Sequence, residues 1–136
     1  MDRHTYFEHD ADVGVIGRGA SVEAAFVSAA RALFALMTRL DEVGDAERID
    51  IAFDEPDVEL ALVTWLNLLL AHANERNLVL AHFRLAREGA NWRGEAWGER
   101  WREDFERGIE PKGATLTMLS VAPTGEGWEA RCVIDV

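Results

Sequence analysis

The stretch from Val58 to Glu75, VELALVTWLNLLLAHANE, is the most apolar segment of the chain and decides its fold class. Its apolar residues recur at three- and four-residue steps and cover more than one stripe. This pattern predicts a helix over about residues 57–75 that is packed on several sides. From Val58 to Ala73 it is interrupted by four polar residues, Glu59, Thr64, Asn67 and His72, which makes it too short and too polar to span a bilayer, so no membrane association is expected.

The segments around this helix predict strands on both sides and one further helix. Ser21 is a good N-cap for an amphipathic helix over about residues 22–40, because apolar residues recur there at helical spacing. Strands are predicted over 4–18 (one or two, with a bend at Gly14), 49–53, 78–85, 92–97, 115–121 and 128–136, with a hairpin at 88–91 and a loop over 98–111. This order predicts an α+β fold, with two helices on a mixed, mostly antiparallel sheet, in a single domain of residues 1–136.

Composition excludes several classes of protein. The chain has 136 residues, a formal net charge of −11 and one cysteine, so neither a disulfide framework nor a multi-cysteine zinc site is possible within it. The bases of residues 84–112 are balanced by acids, and no segment is a basic patch. Direct nucleic-acid binding is therefore not expected, since it depends on phosphate neutralisation. No apolar run marks a secretory signal near Met1, and a cytoplasmic location is expected.

Carboxylates at two predicted strand ends are the first candidate site. Asp12 ends the first strand region, Asp135 ends the last strand, and the α-carboxylate of Val136 follows. If the two strands are neighbours, these oxygens converge, and they then require a raised pKa, a basic partner or a bound cation. Oxygen ligands favour Ca²⁺ or Mg²⁺ over zinc. The spacing alone favours the alternative, in which the aspartates are solvated turn residues and the terminus is frayed.

Three other features carry possible chemistry. Lys112 is the only lysine beside thirteen arginines, which reflects either a codon bias or a need for an ammonium group at that position. His9, beside Asp10, is a candidate acid–base group. Trp92, Trp97 and Trp101 interleave with arginines, which suits a base-stacking surface, a sheet cover or a protein-docking patch, and the interspersed acids favour the last two. Cys132 should face the core as an inert thiol.

The order of several short motifs resembles the archease family across nearly the whole chain. The opening Phe7-Glu-His-Asp-Ala-Asp-Val-Gly-Val15 is similar to the Glu-His-x-Ala-Asp-x-Gly opening of that family. Further matching segments follow in the same order: Ala32 to Met37, Asp57-Val-Glu-Leu leading into Trp65-Leu66-Asn67, Gly98-Glu99, Lys112-Gly-Ala-Thr115, Gly127-Trp128-x-Ala130 and Asp135-Val136.

The resemblance implies a function that composition does not. Archeases are partner proteins of RtcB-type RNA ligases, which join 3′-phosphate or 2′,3′-cyclic phosphate ends to 5′-hydroxyl ends with GTP and Mn²⁺ in tRNA splicing or RNA repair. They promote ligase guanylylation and multiple turnover without catalysing a reaction themselves. The resemblance implies a divalent-cation site, commonly for Ca²⁺, with Mg²⁺ or Mn²⁺ as alternatives, at Asp12, Asp135 and Val136, and a functional lysine at Lys112.

The chain also departs from the family pattern at several positions. Asp10, Thr64, Leu68 and Thr117 stand where a threonine, two acids and a histidine are usual. Two alternative functions remain at this point. One is a stand-alone metal-dependent phosphoester hydrolase with His9 as acid or base. The other is a chaperone-like protein-binding module that uses the tryptophan-rich segment.

Overall fold

The computed structural model describes residues 4–9 and 12–136 of the chain, and for Glu8 and His9 it describes only the backbone. The described residues fold into two antiparallel sheets and two helices, joined by loops. The α+β class is confirmed, with the strands divided between two sheets. The elements are β1 (Thr5–His9), β2 (Asp12–Gly19), α1 (Val22–Ala35), a 3₁₀ turn (Leu40–Glu42), β3 (Glu47–Asp54), α2 (Val58–Arg76), β4 (Leu78–Glu88), β5 (Asn91–Arg100), β6 (Gly113–Ala114), β7 (Ser120–Pro123) and β8 (Trp128–Asp135).

The larger sheet has the order β1-β2-β8-β6, with β7 also paired to β8, and the smaller sheet has the order β3-β5-β4. The strand pairs of both sheets are antiparallel. Helix α1 lies against β2 and β8 of the larger sheet and against β4 of the smaller one. Residues of both helices and both sheets belong to one hydrophobic cluster, so the two sheets share a core.

Helix α1 begins where the sequence predicts and ends earlier. The Ser21 hydroxyl accepts a hydrogen bond from the Ala24 N–H at 3.1 Å, which satisfies one of the free donors of the first turn. The prediction that the helix continues to residue 40 is wrong, because it ends at Ala35. The carbonyls of Leu36 and Met37 instead accept hydrogen bonds from a distant loop, and no local pattern in the sequence signals that competition.

Helix α2 occupies Val58–Arg76, close to its predicted bounds. The Asp57 carboxylate caps its first turn by accepting hydrogen bonds from the N–H groups of Glu59 and Leu60. Trp65 is fully buried, and its indole N–H donates to the Phe26 carbonyl of α1 at 3.1 Å. This bond joins the two helices inside the core, and it satisfies the one polar group that a buried tryptophan brings with it. None of the described helices has the length and apolarity needed to cross a bilayer.

Two predicted strand regions differ from the structure. The predicted bend at Gly14 is wrong: Gly14 lies inside β2, where the ring of Phe7 occupies the space that a Cβ would need. β1 ends at His9 and β2 begins at Asp12, and Asp10 and Ala11 lie outside the described residues. The strand predicted over 115–121 is wrong over most of its length, because residues 115–119 form a turn between the short strands β6 and β7 and only Ser120 and Val121 of the predicted strand lie in β7.

Helix α2 covers the outer edge of β6 and β7 with polar side chains. The Asn67 amide accepts from the Ala114 N–H at 2.8 Å and donates to the Ala114 carbonyl at 3.1 Å, so it binds both backbone groups of one residue. The Glu59 carboxylate accepts from the Val121 N–H at 3.3 Å. These bonds replace a neighbouring strand along the edge, where unpaired backbone groups would otherwise favour association with another chain.

We predict that Gly17→Ala destabilises the protein by about 2 kcal/mol, because overpacking against atoms that cannot move costs about 1–3 kcal/mol. A Cβ at Gly17 would collide with the backbone of Ala25 and Ala29, which belong to α1 and cannot move as a side chain does. Urea denaturation followed by circular dichroism measures the change. Gly125→Ala is the control, since a Cβ there meets nothing within 4 Å. Equal stability of the two variants would contradict the close helix–strand approach.

We also predict that Asn67→Leu costs about 1–3 kcal/mol, because it leaves the N–H and C=O of Ala114 without their partners. Hydrogen exchange at the Ala114 amide should accelerate together with this loss of stability. Asn74→Leu on the same helix is the control, since Asn74 is exposed. Unchanged exchange at Ala114 in Asn67→Leu would show that Asn67 does not hold the β6 edge.

Candidate functional site

The pairing of β2 with β8 brings Asp12 and Asp135 together. The register runs from Gly19 opposite Trp128 to Val13 opposite Ile134, and one further step places Asp12 opposite Asp135. Residues that are directly opposite in an antiparallel pair point to the same face, with Cβ atoms about 5 Å apart. Arg18 and Glu129, opposite one another on the same face, form an ion pair of 3.2 Å, as this register requires. The sequence predicts that the two aspartates converge only if their strands are neighbours, and the pairing of β2 with β8 meets that condition.

The two aspartates form a like-charged pair at the end of the sheet. Asp12 is half-buried and Asp135 is exposed, and neither makes an ion pair with any described residue. Like charges at directly opposite positions destabilise a strand pair. At an effective dielectric of 20, two carboxylates about 5 Å apart repel by about 3 kcal/mol. The arrangement therefore favours the approach of a positive charge.

Lys112 lies at the same end of the sheet. Its backbone N–H donates to the Asp135 carbonyl at 2.7 Å, and the next residue, Gly113, pairs with Asp135 in the β6–β8 ladder. Pro111 before it is buried, whereas the Lys112 side chain is exposed and makes no ion pair with a described residue. The backbone of Lys112 is thus fixed beside Asp135, and its ammonium group remains exposed to solvent.

Hydrogen bonds to the residues that follow α1 hold the segment that leads into Lys112. It is the predicted loop, although β5 extends to Arg100 and shortens it. The N–H groups of Gly108 and Ile109 donate to the carbonyls of Met37 and Leu36 at 2.8 and 2.7 Å. Phe105 is buried, and the ring of Trp101 lies 4.5 Å from the Arg107 guanidinium. These contacts fix the path of the chain from Trp101 to Pro111.

The described oxygen donors at this end of the larger sheet suit a hard cation. Asp12 and Asp135 supply carboxylate oxygens, and the Val136 carboxylate is the third group of the predicted set. Among the described residues, no cluster of three or more His, Cys, Asp or Glu side chains is arranged to hold a metal ion. The side chain of His9, and Asp10 as a whole, lie outside the described residues, so the role of His9 stays a prediction. Oxygen-only donors match Ca²⁺ and Mg²⁺ better than zinc.

Cys132 is a buried core thiol. Its side chain is inaccessible to solvent, and burial raises the pKa of the thiol from 9.0 to about 12. Desolvation penalises the thiolate, so the group stays protonated and unreactive at neutral pH. The prediction of an inert thiol on the core face of β8 is confirmed.

The three tryptophans do not form a common surface. Trp92 is fully buried, and the rings of Phe26 and Phe53 stack on it with centroids 5.2 and 5.8 Å away. Trp97 lies beneath the guanidiniums of Arg48 and Arg84 on the smaller sheet. A base-stacking surface that includes Trp92 is therefore wrong, because its ring is buried and no base can reach it. The aromatic cover of a sheet, the second alternative, fits both Trp92 and Trp97.

Asn67 has no predicted role, and the structure links it to the site. By holding Ala114 it fixes β6 two residues after Lys112. A signal was present, since Asn67 is an amide in the middle of the most apolar helix. Such a residue needs hydrogen-bond partners when it packs against another element.

Comparisons with known proteins agree with this architecture. The model of the Archease protein family (MTH1598/TM1083) matches residues 4–136. The chain is 30% identical to protein archease of Sulfolobus acidocaldarius and 32% identical to that of Saccharolobus solfataricus, each over the full length of both chains. The solution structure of protein 1598 of Methanobacterium thermoautotrophicum superposes with a TM-score of 0.83 at 26% identity, covering 98% of both chains.

A second solved structure shares the fold at lower identity. The crystal structure of an archease from Thermotoga maritima, described as a possible chaperone, has a TM-score of 0.66 at 20% identity and covers 96% of this chain and 94% of that one. The family match spans nearly the whole chain, and the relatives match it from end to end. The chain belongs to the archease protein family.

Proposed function

We propose that this protein is a non-catalytic activator of an RtcB-type RNA ligase, and that it promotes guanylylation and multiple turnover of that ligase in tRNA splicing or RNA repair. Family membership supports the proposal. The observation that carries it is the meeting of Asp12, Asp135 and Lys112 at one end of the larger sheet. These are the positions to which the sequence resemblance assigns function, and they come from three distant parts of the chain.

The geometry gives Lys112 a defined role in this proposal. A lysine ammonium is a compact point charge that suits the phosphates of a bound nucleotide. The Lys112 backbone is fixed by Asp135, and its side chain is exposed to an approaching partner. Lys112 would therefore contact the nucleotide or the guanylylated residue of the ligase when the two proteins meet.

A divalent cation, with Ca²⁺ as the first choice and Mg²⁺ or Mn²⁺ as alternatives, is the second part of the proposal. Asp12, Asp135 and the Val136 carboxylate would hold it. When bound, it would supply positive charge that offsets the repulsion between these carboxylates and the negative charge of a nearby triphosphate. Asp12 and Asp135 keep their positions through the β2–β8 register, which does not depend on the ion.

Charge also supports docking on an RNA-handling enzyme. A chain of net charge −11 is attracted to a basic surface, and complementary fields accelerate the encounter of two proteins. The same charge opposes direct contact with RNA. A cytoplasmic location, where such a ligase would act, is part of this proposal.

We predict that the wild-type protein accelerates single-turnover guanylylation of the RtcB-type ligase from the same genome, with GTP and Mn²⁺ present. Lys112→Ala should lower the stimulated rate at least tenfold, because a charge-assisted contact contributes about 1.5–3 kcal/mol and each 1.4 kcal/mol is a factor of ten. Lys112→Arg should restore part of the rate.

Arg100→Ala is the matched control, since Arg100 is an exposed base at the end of β5 in the other sheet. It should stimulate like wild type. An absence of stimulation by wild type, or equal stimulation by wild type and Lys112→Ala, would reject the proposal. Turnover of a generic phosphoester by the isolated protein would favour the hydrolase alternative instead.

We further predict that calorimetric titration with CaCl₂ detects one bound ion on the wild-type protein, with weaker heats for Mg²⁺ and Mn²⁺. Asp12→Asn and Asp135→Asn should each weaken binding at least tenfold, because each removes one negative charge from the donor set. Saturating Ca²⁺ should also raise the melting temperature, since a ligand that binds only the folded state stabilises it.

Glu88→Gln serves as the control for the loss of one exposed carboxylate, because Glu88 lies at the β4–β5 hairpin in the other sheet. It should bind Ca²⁺ like wild type. Failure of the wild-type protein to take up any of the three ions would remove the cation from the proposal and leave the role of Lys112 to be judged by the guanylylation assay.

A further inference from the structure

Large apolar side chains are exposed close to Lys112. Among the described residues, five large hydrophobic side chains are exposed: Tyr6, Leu60, Ile109, Leu116 and Met118. Three of the five lie within six residues of Lys112 along the chain. Leu116 and Met118 are the most exposed, at 63% and 50%. Both belong to the turn at residues 116–119, which we call the Met118 turn.

Hydrogen bonds fix the Met118 turn to the strand that carries Asp135. The Leu119 N–H donates to the Leu116 carbonyl at 3.3 Å and closes the turn. The Val133 carbonyl accepts from the N–H of Thr115 at 3.0 Å and from its hydroxyl at 2.9 Å. The Val133 N–H donates to the Thr117 carbonyl at 3.2 Å. The turn therefore projects its apolar side chains from a fixed base, two residues from Asp135 along β8.

Met118 has a backbone conformation that its side chain disfavours. Its φ is 51°, in the left-handed region where glycine and asparagine are preferred. The other non-glycine residue with positive φ in the described chain is Asn77, which ends α2 and suits that conformation. Half of the Met118 side chain is exposed, so its burial within the protein offsets little of the free-energy cost of the positive φ. Strain of this kind persists at functional sites, where the side chain serves a contact outside the fold.

Helix α2 extends this apolar surface. Asn67 holds Ala114 at one end of the connection between β6 and β7, and Glu59 holds Val121 at the other. Leu60 directly follows Glu59 and lies seven residues before Asn67, which places it on the same side of the helix as Asn67. Leu60 is 41% exposed, so it adds apolar area to this side of α2.

The charges around this apolar surface limit which kind of protein can bind to it. Asp135 lies two residues from Val133, which holds the turn, Glu59 bonds Val121 just after it, and the whole chain carries a net charge of −11. A second copy of this chain would place acid against acid, which like-charge repulsion opposes. An apolar cleft with a basic rim on another protein is complementary to the surface in both respects.

We propose that Leu116 and Met118, together with Leu60 of α2, form an apolar anchor that inserts into an apolar, basic-rimmed cleft of the protein that Lys112 engages. This inference rests on the proposed function, because it takes that protein to be the RtcB-type ligase. The anchor supplies affinity, since a buried apolar side chain at the centre of an interface contributes much of the binding energy. Lys112 acts on the rate of the bound complex.

The test separates affinity from rate by titrating each variant into the cognate ligase. Met118→Gly and Leu116→Ser should each raise the Kd for the ligase about tenfold, an ordinary effect for a central anchor. At saturating protein both variants should still reach the wild-type rate of guanylylation, whereas Lys112→Ala should not. Met118→Gly should also melt at the same or a higher temperature than wild type, because glycine relieves the strained φ.

Ile109→Ser is the matched control. Ile109 is 45% exposed, but its N–H donates to the Leu36 carbonyl just after α1, whereas the Met118 turn is bonded to β8, so the Kd of Ile109→Ser should be that of wild type. Wild-type affinity of Met118→Gly and Leu116→Ser would overturn the inference while the proposed function stands. An equal loss of affinity in Ile109→Ser would overturn it as well, as would a dimer in light scattering that Met118→Gly dissociates.

Discussion

The antiparallel register between β2 and β8 is the constraint on which the rest of the structure depends. A shift of one residue would turn every side chain of β2 to the opposite face. Tight packing prevents this shift, because Gly17 and Gly19 of β2 lie directly against the backbone of α1, where no side chain fits. On the core face Val15 lies opposite Cys132, and both are fully buried. The same register then fixes the ion pair of Arg18 with Glu129 at one end and, continued by one step, sets Asp12 opposite Asp135 at the other.

Strand β8 carries the site on its other edge as well. It pairs with β2 on one side and with β6 and β7 on the other, so residues near position 12 and near position 112 are held by the same strand. Asn67 and Glu59 of α2 then occupy the outer edge of β6 and β7. The most apolar helix thus has two roles: its buried face builds the core, and its polar side chains place the segment that follows Lys112. The order of the elements in the sequence does not reveal that second role.

Local signals in the sequence predicted those parts of the fold that local interactions determine. Ser21 marks the start of α1, the alternation of residues 49–53 lies within β3, and Gly89, at a φ of 60°, turns the β4–β5 hairpin. The predictions failed where a distant segment competes for the backbone. The carbonyls of Leu36 and Met37 bond to the loop before Lys112, which ends α1 early. The bonds of Thr115 and Thr117 to Val133 hold a turn where the sequence predicts the first part of a strand.

The site was predicted in part for the same reason. Asp12 and Asp135 were expected to meet if their strands were neighbours, and the pairing of β2 with β8 makes them so. No sequence pattern around Lys112 indicates that its backbone N–H bonds to the Asp135 carbonyl. The functional role of Lys112 was predicted from the family resemblance alone. Asn67 and the Met118 turn were missed, because a hydrogen bond across 47 residues and a positive φ at methionine leave no periodic pattern in the sequence.

The division of labour between arginine and lysine is a further argument for the role of Lys112. Most described arginines are engaged within the fold: Arg48 bonds Asp50 and Glu95, Arg76 bonds Glu47, and Arg87 and Arg107 lie over aromatic rings. The planar guanidinium suits such paired and stacked contacts better than an ammonium does. Lys112, by contrast, makes neither an ion pair nor a ring contact with a described residue, although it is bonded through its backbone to an acidic residue. The fold thus fixes the backbone of Lys112 but leaves its ammonium group without such a contact among the described residues, so this positive charge is available to a partner. Codon bias accounts for the thirteen arginines but not for this placement.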